Sequence, residues 1–155
     1  MARNPQLTAN EAIGLLYTLA NENGREGIDE VSGHGVLSLA RLENRTNQAY
    51  EDPAIVGYYF AYPQAPGGAT IPFEVLVQNQ GNQPIDTMQL RVNYPGTQRT
   101  YLINQLQPGE TRREKLYLQG SARPQSLDIH TELLLPPEQS DARWENNLRL
   151  SSIEL

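Results

Sequence analysis

The chain has 155 residues, with 12 basic against 18 acidic side chains for a formal charge of −6, 12 Gly, 11 Pro and no Cys. That length holds one or two small domains with a core of their own, and the missing thiols exclude disulfides, cysteine nucleophiles and thiolate-bound zinc. The acidic balance and scattered Lys and Arg argue against a nucleic-acid partner, because that affinity comes from neutralised phosphates. No apolar run approaches the roughly 20 residues that span a bilayer.

Residues 1–50 are patterned as helix. The N-terminus from Met1 to Gln6 lacks the charged-then-apolar run of a secretion signal. Thr8 followed by Glu11 is a capping box, and Ala12, Leu15, Leu16 and Leu19, with Ile13, Tyr17 and Ala20, recur at helical spacing. This predicts one amphipathic helix from Ala9 to about Asn21. Asn23-Gly24 and Gly27 supply its stop and a loop, and Val36 to Leu42 read as a second short helix after Gly33-His34-Gly35. Helices this short are marginal alone. Leu15, Leu16 and Leu19 are therefore candidates for a docking helix, seated on another domain or on a second copy of the chain.

From Asp52 onward the period changes to two. Ile71, Phe73, Val75 and Val77 share one face, as do Met88, Leu90, Val92 and Tyr94, and Leu127, Ile129, Thr131, Leu133 and Leu135. Adding Ile55 to Tyr62, Leu102 to Leu106, Lys115 to Leu118 and Leu148 to Ile153 gives about seven strands separated by Pro- and Gly-rich turns. The pattern predicts a mainly β chain, an immunoglobulin-like antiparallel sandwich with a solvated outer face. Asn79-Gln80-Gly81-Asn82 reads as a turn with Gly81 free to take positive φ, and Pro108-Gly109 as the central pair of a type II turn.

Candidate site residues fall in four places. Asp141, Glu145, Asn146 and Asn147 offer the hard oxygens that calcium takes, without the spacing of a calcium loop; the same side chains also serve as backbone caps at a bend. Trp144 beside them, with Tyr58, Tyr59 and Tyr62, forms a candidate interaction surface, because amphipathic aromatics suit protein and sugar contacts. By alternation Tyr58, Phe60 and Tyr62 lie opposite Tyr59. Asp29, Ser32 and His34 hold the residue types of a hydrolytic triad within six positions, but a glycine-rich turn does not hold the geometry that a triad needs. His130 is placed on a strand surface, with no Cys and one other His to complete a zinc site.

Two family resemblances follow from these residues. Asn4-Pro5-Gln6-Leu7-Thr8, the helix through Leu19-Ala20, and Ser32-Gly33-His34-Gly35-Val36-Leu37-Ser38-Leu39-Ala40 resemble the end of a subtilisin-like serine protease domain. That likeness covers about 40 residues and implies that Met1 to about Arg45 is the closing edge of a catalytic domain. The family's aspartate, histidine and serine turn all precede the first of these elements, so no triad residue maps onto this chain and no enzyme activity is expected of it. Pro66-Gly67-Gly68, Phe73 through Asn82, Leu106-Gln107-Pro108-Gly109-Glu110, and Asp141 with Glu145-Asn146-Asn147 resemble the CARDB-type immunoglobulin-like modules of exported bacterial proteins.

The resemblances imply a helical segment over 1–50 and a sandwich over 51–155. They also imply a noncatalytic C-terminal accessory module of an exported subtilisin-like protease, outside the cell or in its envelope, that stabilises, spaces or contacts a protein or surface. No cofactor is expected apart from the calcium candidates. The alternatives are a stand-alone binding module for carbohydrate or cell-surface protein, and a protease regulator acting in trans. The partners are accordingly a protease catalytic domain in cis or a cell-surface ligand, and a homodimer would form through the N-terminal helix.

Overall fold

A computed structural model describes residues 6–24, 26–47, 49–60, 70–119 and 126–154. The alternating segments fold as β3 (Pro53–Phe60), β4 (Thr70–Asn79), β5 (Ile85–Tyr94), β6 (Thr97–Leu106), β7 (Thr111–Gln119), β8 (Ser126–Leu134) and β9 (Leu148–Glu154). They form a three-stranded sheet in the order β3-β4-β7 and a four-stranded sheet in the order β6-β5-β8-β9, with every pairing antiparallel. These are the seven strands that the alternation predicts, and they make a mainly β immunoglobulin-like sandwich. The turn expected from the sequence at Pro63 to Gly68, and with it Tyr62, lies outside the described residues, as do Asn4 and Pro5.

The core lies between the sheets. Phe73, Val75, Val77 and Leu116 of one sheet meet Ile85, Met88, Leu90, Val92, Ile103, Leu127, Ile129 and Leu133 of the other. Phe73 takes an edge-to-face contact with Tyr94, ring centroids 5.9 Å apart, the arrangement that aromatic quadrupoles favour. Pro108-Gly109 turns as expected, with Gly109 at φ 81°. Gly81 does not take positive φ. Its role is close approach, because a Cβ there would overlap the Tyr50 carbonyl oxygen and stand 2.8 Å from the Asp52 nitrogen.

The N-terminal segment differs from the sequence expectation in two ways. The capping box forms as predicted, with the Thr8 amide and hydroxyl donating to the Glu11 carboxylate at 2.8 and 2.7 Å, but helix α1 spans only Ala9–Thr18. Beyond it, β1 (Ala20–Asn21) pairs with β2 (Val36–Leu37), so the second helix, α2, begins later and spans Leu39–Asn44. The physical reason is Arg41. Its buried guanidinium donates to the Thr18 carbonyl at the end of α1 and to the Ala20 carbonyl of β1, which holds the chain in the turn from helix to ribbon. Gly35 lets that ribbon close, because a Cβ there would collide with the Asn21 carbonyl, and the Ser38 hydroxyl caps α2 by accepting from the Arg41 amide.

The outer face of the three-stranded sheet is not solvated as expected. Glu74, Leu76 and Gln78 alternate with the core residues of β4, yet their exposures are 8, 1 and 4 %. The N-terminal segment reaches this sheet. The Gln78 Oε1 accepts from the Glu22 amide at 2.9 Å, and Gly57 of β3 lies against the backbone of Gly24. The Asn82 side-chain amide donates to the Asn44 and Asn47 carbonyls at 2.9 and 2.6 Å. Arg113 and Lys115 of β7 stand 3.5 and 3.7 Å from the Glu74 carboxylate.

The Gly81 approach is directly testable. Gly81→Ala should cost about 1–3 kcal/mol in a urea melt, because the added methyl meets backbone that cannot yield. A loss below about 0.5 kcal/mol, the range of ordinary surface changes, would show that the loop at Tyr50 gives way.

Candidate functional site

The loop before β9 is organised around Asp52. Its carboxylate is fully buried and accepts from the Arg143 Nε at 2.8 Å and Nη2 at 2.5 Å, from the Asn146 Nδ2 at 2.7 Å, and from the Tyr50 hydroxyl at 3.1 Å. Arg143 also donates to the Gln80 Oε1 at 2.6 Å, which ties the loop to the end of β4. Asp141 accepts from the Arg143 amide at 2.8 Å and from the Asn147 side-chain amide. Burial pushes the Asp141 carboxyl above its ordinary range against these bonds. Glu51 beside it is raised by burial and then by the charges of Asp141 and Asp86.

The sequence candidates Asp141, Asn146 and Asn147 thus come together, with much of their bonding capacity taken by Asp52, Arg143 and one another. Glu145 is exposed on the 3-10 turn Trp144–Asn147, and Trp144 is 69 % exposed beside it. The organising pair, Asp52 and Arg143, carries no sequence signal, since its members are separated by 91 positions and belong to no motif. Among the described residues, no group of three or more His, Cys, Asp or Glu side chains could hold a metal ion.

The strand tyrosines divide. A bulge between Ile55 and Gly57 interrupts the β3 register, so Tyr58 packs against the core while Tyr59 is half-buried. The Tyr58 hydroxyl donates to the Arg149 carbonyl at 3.3 Å and the Arg149 guanidinium lies 5.0 Å over its ring. Burial pushes the Tyr58 phenol up to about 12. Tyr58 is therefore a clasp between β3 and β9, the strands at one side of the sandwich.

The apolar side of α1 is uncovered. None of its residues is buried; Leu15 and Leu19 are half-buried and Leu16 is 37 % exposed. Tyr17 stacks on His34 with ring centroids 3.9 Å apart. The Ser32 hydroxyl bonds Asp29 Oδ2 and the Asn23 carbonyl, each at 2.7 Å, and the Asp29 Oδ1 caps the amides of Val31 and Ser32. This trio is a turn, as the sequence reading holds. His130 is half-buried rather than fully on the surface. Its register partners are Asn93 and Leu150, and it lines an open groove of about 520 Å³ together with Tyr94, Asp128 and Ser152.

Breaking the Asp52 pair should be costly. Arg143→Met leaves a buried carboxylate without its cation and is expected to lose about 2–4 kcal/mol, below the full buried-pair penalty because Arg143 is 36 % exposed. Asp52→Asn with Arg143→Met should recover part of that loss, and additive single losses in the denaturation cycle would refute the coupling.

No protein-family model and no curated protein matches the chain. Solved structures do. The CARDB domain of a Pyrococcus furiosus protein, determined in complex with di-metal ions, superposes with a TM-score of 0.54 over 71 % of this chain and 94 % of that one at 17 % identity. A domain whose name assigns it to a cell surface protein of Methanosarcina acetivorans superposes with a TM-score of 0.54 over 68 % of this chain and 91 % of that one at 12 % identity. At such identities the likeness is one of fold, and the sandwich of this chain is CARDB-like.

Proposed function

We propose that the chain is a noncatalytic accessory module whose sandwich supports a protein-docking surface on the N-terminal segment. The observation that carries this reading is the placement of exposed apolar side chains. Of fourteen large hydrophobics exposed among the described residues, nine lie between Leu7 and Leu39. They include Ile13, Leu16 and Tyr17 on α1 and Val36 and Leu37 on β2, with exposures of 37 to 53 %. Apolar surface gathered on one segment is the mark of an interaction site.

The partner we propose is a subtilisin-like catalytic domain in the same polypeptide, joined near residue 50 to the sandwich of 51–155, in a protein at or beyond the cell surface. The resemblance of residues 4–40 to the end of such a domain supports this. The cell-surface name of one structural neighbour agrees with the proposed location. No helix among the described residues is long and apolar enough to cross a membrane. An in-frame serine turn encoded upstream of Met1 would support the cis arrangement, and a stop codon there would overturn it in favour of a partner in trans. As a test of the surface itself, the wild-type chain without that partner should self-associate as its concentration rises in sedimentation velocity, and Leu16→Asp with Val36→Asp should abolish this without lowering the melting temperature. Unchanged association would refute the surface.

A second reading, cation binding beside Asp141, has a specific observation in its favour. The Glu51 Oε2, Asn146 Oδ1 and Asn147 Oδ1 are buried acceptors without a hydrogen-bond partner, and hard oxygens of this kind suit calcium. The metal-bound CARDB neighbour agrees with it. On this reading millimolar calcium raises the melting temperature of the wild-type chain and not of Asp141→Asn. Equal curves with calcium and with chelator would remove it.

A further inference from the structure

We propose that Asn23 is a modification site, a centre of spontaneous deamidation that weakens the seat of the N-terminal segment on the sandwich. Asn23-Gly24 is the only Asn-Gly pair in the chain. Both residues are exposed, and among the described residues neither the Asn23 side-chain amide nor the Gly24 backbone nitrogen makes a hydrogen bond. Six other asparagines, Asn44, Asn47, Asn79, Asn82, Asn146 and Asn147, each donate from the side-chain amide, and Asn10, Asn21, Asn93 and Asn104 are each followed by a larger residue than glycine. Gly24 stands at φ 118°, where a side chain is rarely tolerated, so no Cβ on the following residue shields the reacting carbon.

The loop holds the backbone, and among the described residues nothing holds the amide. The Asn23 carbonyl accepts from the Ser32 hydroxyl at 2.7 Å, and the Glu22 carboxylate accepts from the amides of Asn23 and Gly27 at 3.3 and 2.8 Å. In the proposed step the Gly24 nitrogen bonds to the Asn23 Cγ, its proton passes through water to Nδ2, the Cγ–Nδ2 bond breaks, and ammonia leaves. Water then adds to one of the two carbonyls of the cyclic imide and opens it to aspartate or isoaspartate. No oxidant or reductant takes part.

The product changes the loop in two ways. It adds a carboxylate to a stretch that already carries Glu22, Glu26, Asp29 and Glu30 against the one cation Arg25, and like charges repel. By the isoaspartyl route it also lengthens the backbone by one methylene. This loop is the part laid over Gly57 of β3, where the Gly24 oxygen and nitrogen would lie 3.7 and 3.8 Å from a Cβ, and Glu26 reaches Arg113 of β7 at 3.9 Å.

The experiment ages the full chain at mildly alkaline pH, follows each asparagine by peptide mapping, and labels isoaspartate with an isoaspartyl methyltransferase. Asn23 should convert an order of magnitude faster than any other asparagine, and Asn23→Gln should lose the methyl-accepting product. Conversion spread evenly over the asparagines would overturn the site. Asn23→Asp, which folds with the same backbone length, should melt below the wild type. An unchanged melting temperature in that variant and in the aged chain would overturn the effect on the segment's seat.

Discussion

Strand β4 must be dry on both faces, and the rest of the structure follows from meeting that constraint. Phe73, Val75 and Val77 lock one face into the inter-sheet core, while Glu74, Leu76 and Gln78 fill the other. An apolar side chain in the second set gains from burial, whereas a carboxylate or amide there loses its water and must find partners. Glu74 is supplied by two cations of β7, and Gln78 by the backbone of residues that precede the sandwich in sequence. The two-layer sandwich is thereby a three-layer object along part of one face.

The polar seam at the end of β4 continues that logic. Asn79 donates to the Gln83 and Leu106 carbonyls at 2.8 and 2.9 Å and accepts from the Gly81 amide at 2.9 Å, so one side chain closes the turn and fastens it to β6. Gln80 receives Arg143, and Arg143 grips Asp52. A buried carboxylate is held there by a cation and two neutral donors. Such a pair adds little net stability over apolar packing, but removing one member is expensive, and that asymmetry fixes where the loop before β9 must lie.

The proposed docking surface and the proposed cation site lie on different parts of this framework, and both readings rest on what the framework leaves over. The segment that satisfies Gln78 does so through its backbone, and its side chains Leu16, Tyr17, Val36 and Leu37 stay exposed. The loop that satisfies Asp52 spends the Asn146 amide on Asp52 and the Asn147 amide on Asp141, and strands the amide oxygens of both.

The seven strands, their apolar faces and the Thr8–Glu11 capping box were legible in the sequence because each rests on spacing within a few residues. Asp141, Glu145, Asn146 and Asn147 were visible as one short polar loop for the same reason, and Glu145 of that loop is exposed. Tertiary structure decided what depends on distant partners. Arg41 holds the turn from α1 to the ribbon through the Thr18 and Ala20 carbonyls, and Val36 and Leu37 pair as strand where spacing suggested helix. The β3 bulge turns Tyr58 toward the core, and Gly81 is required by a passing carbonyl rather than by its own φ. Asp52 and Arg143, 91 positions apart, had no local pattern to announce them. Periodicity records which side of an element is apolar; only the folded chain determines which polar groups are left without water and must therefore meet.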